Sequence, residues 1–138
     1  IEKFLYWCQQ LIAESLGKNG KGFLPTISNV PKDHHSLLQL YLEGPKDKIF
    51  YIFSNNKKSN EKIDIVKNAQ IKSLIKVLKE KKIPFRNFEI SKIDEVILSE
   101  LFSYFILETI AVGKLSKINP FNQPAVEQVK IYTNKLLK

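Results

Sequence analysis

The chain has 138 residues, 43% apolar and 26% charged, an ordinary globular mixture with length enough for a buried core. Its net charge is +8, yet Arg86 is the sole arginine among 22 basic residues, and the lysines are spread along the chain with short clusters only at 57–58 and 79–82. Bidentate reading of phosphate or guanine favours arginine, so the charge does not argue for nucleic acid.

The single cysteine, Cys8, excludes an internal disulfide and points to a reducing, cytoplasmic setting. No secretory signal opens the chain. The longest apolar stretch, VILSELFSYFILETIAVG, carries Glu100 and Glu108, so no membrane span is expected. The chain starts on Ile1 and enters a helix at once, as a portion of a longer protein would.

Residues 2–16 read as a helix whose stripe is Phe4, Leu5, Cys8, Leu11, Ile12 and Ser15. Gly17 is its stop and KNGKG a loop. FLPTISNV (23–30) reads as a short strand closed by Pro31, and Asp33 as the N-cap of a helix over 34–43. KIFYIFS (48–54) is apolar almost throughout, as in a strand of a parallel sheet buried on both faces. NNKKSNEK reads as an exposed loop. A helix over 68–81 follows, with Ile71, Leu74, Ile75 and Leu78 as its stripe. PFRNFEIS reads as a strand at a sheet edge. A long apolar helix over 93–113 ends at Gly113, KLSKINPFNQ is a loop, and a last helix covers 124–137 with Pro124 in its first turn. Helices alternating with strands predict an α/β three-layer sandwich with a mostly parallel sheet.

Three polar groupings can carry chemistry. Glu14 stands in the last turn of the first helix, where the dipole disfavours a negative charge and makes the carboxylate a readier proton acceptor. Gln10 shares its face, and the plain alternative is a surface pair with Lys18. His34 and His35 open the second helix, where the dipole favours a neutral imidazole. Adjacent histidines point to different faces of a helix, which argues against a zinc site. Gln123, Glu127 and Lys130 lie on one face of the last helix, able to hold an anionic or hydroxylated ligand or to form a Glu–Lys surface pair.

Together these stretches resemble the glucose-6-phosphate isomerase family. WCQQLIAESLGKNGKG resembles its QQL–ES–GK helix end. DHHSLLQLYLEGP resembles its bacterial-type DHHSQLQLYLEGP helix, and FNQPAVEQVK its C-terminal signature. The match covers residues 4–53 and 108–138.

The resemblance implies that residues 1–138 are a C-terminal domain of the sugar-isomerase (SIS) type. It implies aldose–ketose isomerisation of glucose 6-phosphate and fructose 6-phosphate through a cis-enediol, in glycolysis and gluconeogenesis, without cofactor or metal. Glu14 would be the base. His35, lent by the neighbouring subunit of a homodimer, would assist ring opening, and Lys130 would act at the ring oxygen and O1. Gln10 and Gln123 would lie near the sugar and phosphate. The helix over 34–43 would then stand at a subunit boundary, dividing Leu38, Tyr41 and Leu42 between core and interface. Ala125 stands for the signature glycine, and Ser116 for a usual apolar residue. The family's N-terminal domain, with its Ser/Thr-rich phosphate loop and its arginine, has no counterpart in the chain, so these residues by themselves are expected to be inactive. A sugar-phosphate-sensing domain of the same fold is the alternative. Neither a nucleic-acid nor a membrane partner is implied.

Overall fold

A computed structural model describes residues 1–55 and 61–138. The lysine pair at 57–58, and most of the loop expected around it, lie outside the described residues. The chain is α/β, in the order α1 (Glu2–Leu16), α2 (Lys32–Ser36), α3 (Leu38–Glu43), β1 (Phe50–Asn55), α4 (Lys62–Glu80), β2 (Phe85–Ile90), α5 (Glu95–Leu115) and α6 (Pro124–Leu136). It divides into two compact units, Ile1–Ile27 with Leu98–Lys138, and Ser28–Ile97.

The first unit is helical. Phe4, Cys8 and Leu16 of α1 are buried, as are Phe105, Thr109 and Gly113, which recur every fourth residue of α5. Phe4 meets Phe102 and Phe105 edge-on, with ring centroids 5.3 and 5.6 Å apart, and Trp7 meets Phe102 at 4.4 Å. Such contacts add about 0.5–1.5 kcal/mol each beyond burial.

Gly113 does not end α5, as expected, but lies inside it. A Cβ there would stand 3.3 Å from Pro120 Cβ, so the missing side chain lets the chain beyond α5 fold back closely. By length and composition α5 could also cross a bilayer, despite Glu100 and Glu108. The two glutamates on which the expectation of no span rested therefore do not exclude one, and the buried stripe of α5 is what places one face in a protein core. α6 is exposed along its whole length.

Gly17 closes α1 with its N–H on Ala13 O, but at φ −74 rather than in the left-handed region. Glycine is needed there because a Cβ would come within 2.6 Å of Ala13 O.

The second unit holds the sheet, whose two strands β1 and β2 pair in parallel, Phe53 opposite Phe88 and Tyr51 opposite Arg86. α4 makes the crossover that parallel pairing requires. It starts before the expected residue 68, and Leu78 of its predicted stripe is fully buried. Ile52 is the buried residue of β1 and its neighbours are only partly buried, so the expected burial on both faces is not met. The stretch 23–30 is not a strand: Pro25 lacks an N–H for a ladder, and the carbonyl of Pro25 accepts from the Gln9 side chain instead. The expected helix over 34–43 is broken at Leu37 into α2 and α3. Tyr41 of α3 is partly buried, with its hydroxyl 2.8 Å from Ser28 Oγ and its ring edge-on to Phe50.

Candidate functional site

Glu14 sits in the last turn of α1 with its side chain exposed. The Gln10 amide, one turn earlier, donates to Glu14 Oε1 at 3.2 Å. The Gln123 amide donates to Glu14 Oε2 at 3.1 Å, across 109 positions of sequence. Two amide donors, one on each oxygen, fix the plane of the carboxylate and still leave lone pairs for a substrate hydrogen. The surface pair of Glu14 with Lys18 does not form; Lys18 Nζ donates to the carbonyl of Asn119 at 2.6 Å.

Gln123 reaches Glu14 because it is the N-cap of α6, where Pro124 starts the helix and the Gln123 side chain is not used as a cap. Lys130, about two turns further along α6, pairs with Glu127 at 2.6 Å. The face shared by Gln123, Glu127 and Lys130 is thus divided: its first residue serves Glu14, and the other two make the Glu–Lys surface pair. An exposed pair of this kind is worth about 0–1 kcal/mol, so Lys130 can exchange Glu127 for a ligand oxygen at small cost.

His35 belongs to the second unit and is exposed on α2. Both histidines fall in the last turn of that short helix, so the dipole argument made for an opening position does not apply. The Nε2 of His34 is buried without a hydrogen-bond partner. Asp33 is not the N-cap, which is Pro31. Its Oδ2 accepts from Asn29 N–H at 2.6 Å and its Oδ1 from Ser36 Oγ at 3.2 Å. The Asn29 N–H is the first cause of a carboxyl held below its usual range.

The structure therefore brings Glu14, Gln10 and Gln123 together, keeps Lys130 on the same helix as Gln123, and carries His35 in the other unit. Arg86 stacks over the Tyr51 ring at 5.3 Å. Among the described residues no three His, Cys, Asp or Glu side chains form a metal-holding group. Lys18 was expected only as a partner of Glu14 and Lys21 not at all, yet their ammonium groups reach the carbonyls of Asn119 and Ser116. The Asn19-Gly20 pair between them was the available signal, since Asn-Gly favours a tight turn with both central residues left-handed.

No protein-family model matches the chain. It is similar over 99% of its length to a probable glucose-6-phosphate isomerase of Methanococcus maripaludis, at 35% identity, and over 96% to a glucose-6-phosphate isomerase of Methanocaldococcus jannaschii, at 36%. A glucose-6-phosphate isomerase of Rubrobacter xylanophilus is 29% identical over 96% of the chain. The chain spans about a third of the length of these curated relatives, 34%, 37% and 35% respectively. The likeness first carried by three short motifs thus extends over nearly every residue, and the chain is similar throughout to a stretch about a third of a glucose-6-phosphate isomerase long, as a C-terminal portion of one would be.

Proposed function

We propose that this chain is the C-terminal, sugar-isomerase-type domain of a cytoplasmic enzyme that interconverts glucose 6-phosphate and fructose 6-phosphate in glycolysis and gluconeogenesis. The Glu14 carboxylate takes the proton from C2 of the open-chain aldose while O1 gains a proton, leaving a cis-enediol, and it returns its proton to C1 as the hydroxyl on C2 gives up its own. His35 reaches the site from the neighbouring subunit of a homodimer and assists ring opening. Lys130 acts at the ring oxygen and O1. Gln10 and Gln123 contact sugar and phosphate as well as Glu14. The rest of the longer polypeptide supplies the main phosphate anchor and the cation facing the enediolate, so the 138 residues by themselves do not turn over substrate.

The observation that carries this reading is the carboxylate of Glu14 gripped by Gln10 and Gln123, two of the three family motifs meeting at the residue that the chemistry requires. The test is Glu14→Gln in the longer polypeptide. Turnover falls by about 10²–10⁴, the range for removal of a general base, while affinity for a sugar phosphate holds within about threefold. Turnover surviving at the wild-type rate would remove Glu14 as the base and the reading with it.

A further inference from the structure

Lys18 and Lys21 bracket a turn. Lys21 N–H donates to Lys18 O at 2.9 Å, and the two central residues, Asn19 and Gly20, are left-handed at φ 56 and 69. Both conformations are those of a type I′ turn. Its far end is fixed by Gly22, at φ 100, where any Cβ would stand 2.7 Å from Leu16 O and from Gly17 Cα. The loop after α1 is therefore folded back on the helix end, and two ammonium groups are presented from one tight turn.

Both reach the connection between α5 and α6. Lys21 Nζ donates to Ser116 O at 2.8 Å, and Lys18 Nζ to Asn119 O at 2.6 Å. Ser116 N–H bonds Val112 O, which places Ser116 just past the C-terminal end of α5, where the helix dipole favours cations. Asn119 in turn accepts Phe121 N–H on its side chain at 3.0 Å, and Gln123 follows two residues later. On its other side the connection rests against Gly113 through Pro120.

We infer that Lys18 and Lys21 are positioning residues of the reacting site. Rooted in one preformed turn, they clamp the α5–α6 connection and so hold Gln123, and the start of the helix that carries Lys130, against Glu14. The clamp stands on geometry alone. Its consequence for turnover rests on the isomerase reading above.

The test combines two readouts. In this chain, a double variant Lys18→Met, Lys21→Met loses the nuclear Overhauser contact between the Gln123 side-chain amide and Glu14, and the amide resonances move to free-amide positions. The Gln10 amide, bonded to Glu14 within α1, keeps its shift and serves as the internal control. A double variant Lys18→Arg, Lys21→Arg, which retains the donors, keeps both contacts. In the longer polypeptide the methionine pair lowers kcat about tenfold or more with KM within twofold, and the arginine pair restores it. A Gln123–Glu14 contact that persists in the methionine pair overturns the clamp. So does loss of the Gln10 contact with the fold otherwise intact, since the lysines would then hold the end of α1 rather than the α5–α6 connection. If the resonances behave as expected while the wild-type longer polypeptide shows no isomerase turnover, the clamp stands and the isomerase reading falls.

Discussion

The two units are held by different kinds of proximity. In the second, β1, α4 and β2 follow one another along the chain and the stacked rings of Phe53 and Phe88 are register partners, 4.8 Å apart. In the first, the contacts around Glu14 join residues 95, 101 and 109 positions apart. A sheet made by a local crossover needs only its own segment to form. The polar cluster of the first unit exists only once the two ends of the chain have closed on each other.

That closure is driven by apolar burial, because the bonds at its edge are exposed and individually weak. Phe105 is 1% exposed and meets Phe4 of α1, making it the side chain on which the closure most depends. Phe105→Ala removes a buried aromatic and costs about 3–5 kcal/mol. Trp7, the sole tryptophan, packs on Phe102 in the same cluster, so its fluorescence reports the unfolding of this unit directly. The denaturation midpoint followed through Trp7 falls accordingly. A loss below about 1 kcal/mol would mean that the two chain ends are held by something other than this cluster.

The same contrast explains what could be read in advance. Helix α1, the stripe on α4, the parallel strands and the last helix follow from local periodicity. The strand expected at 23–30 does not form, because Pro25 leaves the ladder without a donor. The break at Leu37 was hidden because the stretch around it looks helical throughout. At the site, Gln10 beside Glu14 was legible as an i, i+4 pair. The family resemblance brought Gln123 to the same site, but its bond to Glu14, like the Lys18 and Lys21 bonds, depends on long-range closure that no local spacing encodes. The Asn-Gly turn announced the shape of the loop without saying what it would grip.

Cys8 gives a pH handle on the closed unit. Burial first, with the nearby Glu108 carboxylate adding to it, pushes its thiol from 9.0 up to about 12. Between those values the unfolded chain has lost the thiol proton while the folded chain keeps it. The folded state then binds more protons, so stability falls as pH rises. The contribution is whole below about pH 9 and drains away by up to about 1.4 kcal/mol per pH unit above it. Cys8→Ala removes this slope, and the difference between the two stability profiles isolates it from lysine titration. Thiol reagents at pH 8 should label Cys8 only as fast as the unit opens. Prompt labelling of the native chain would show that the α1–α5 core is looser than its burial implies.

The smallest expected effect lies in the second unit. Arg86 on β2 is opposite Tyr51 on β1 in the ladder, and its guanidinium lies 5.3 Å from the ring centroid. An exposed cation over an aromatic face is worth about 0.5–1 kcal/mol, and Arg86→Ala should lower stability by that amount. Arg86→Lys keeps the charge but not the planar stack, and should recover only part of the loss. Upfield ring-current shifts on the Arg86 δ-methylenes report the stack directly and vanish in both variants. Because this pair joins neighbours in the ladder rather than distant ends of the chain, its loss leaves the Gln123–Glu14 contact intact. A variant at Arg86 that disturbed that contact would mean that the sheet helps set the polar cluster, and the contrast between local and long-range assembly would no longer hold.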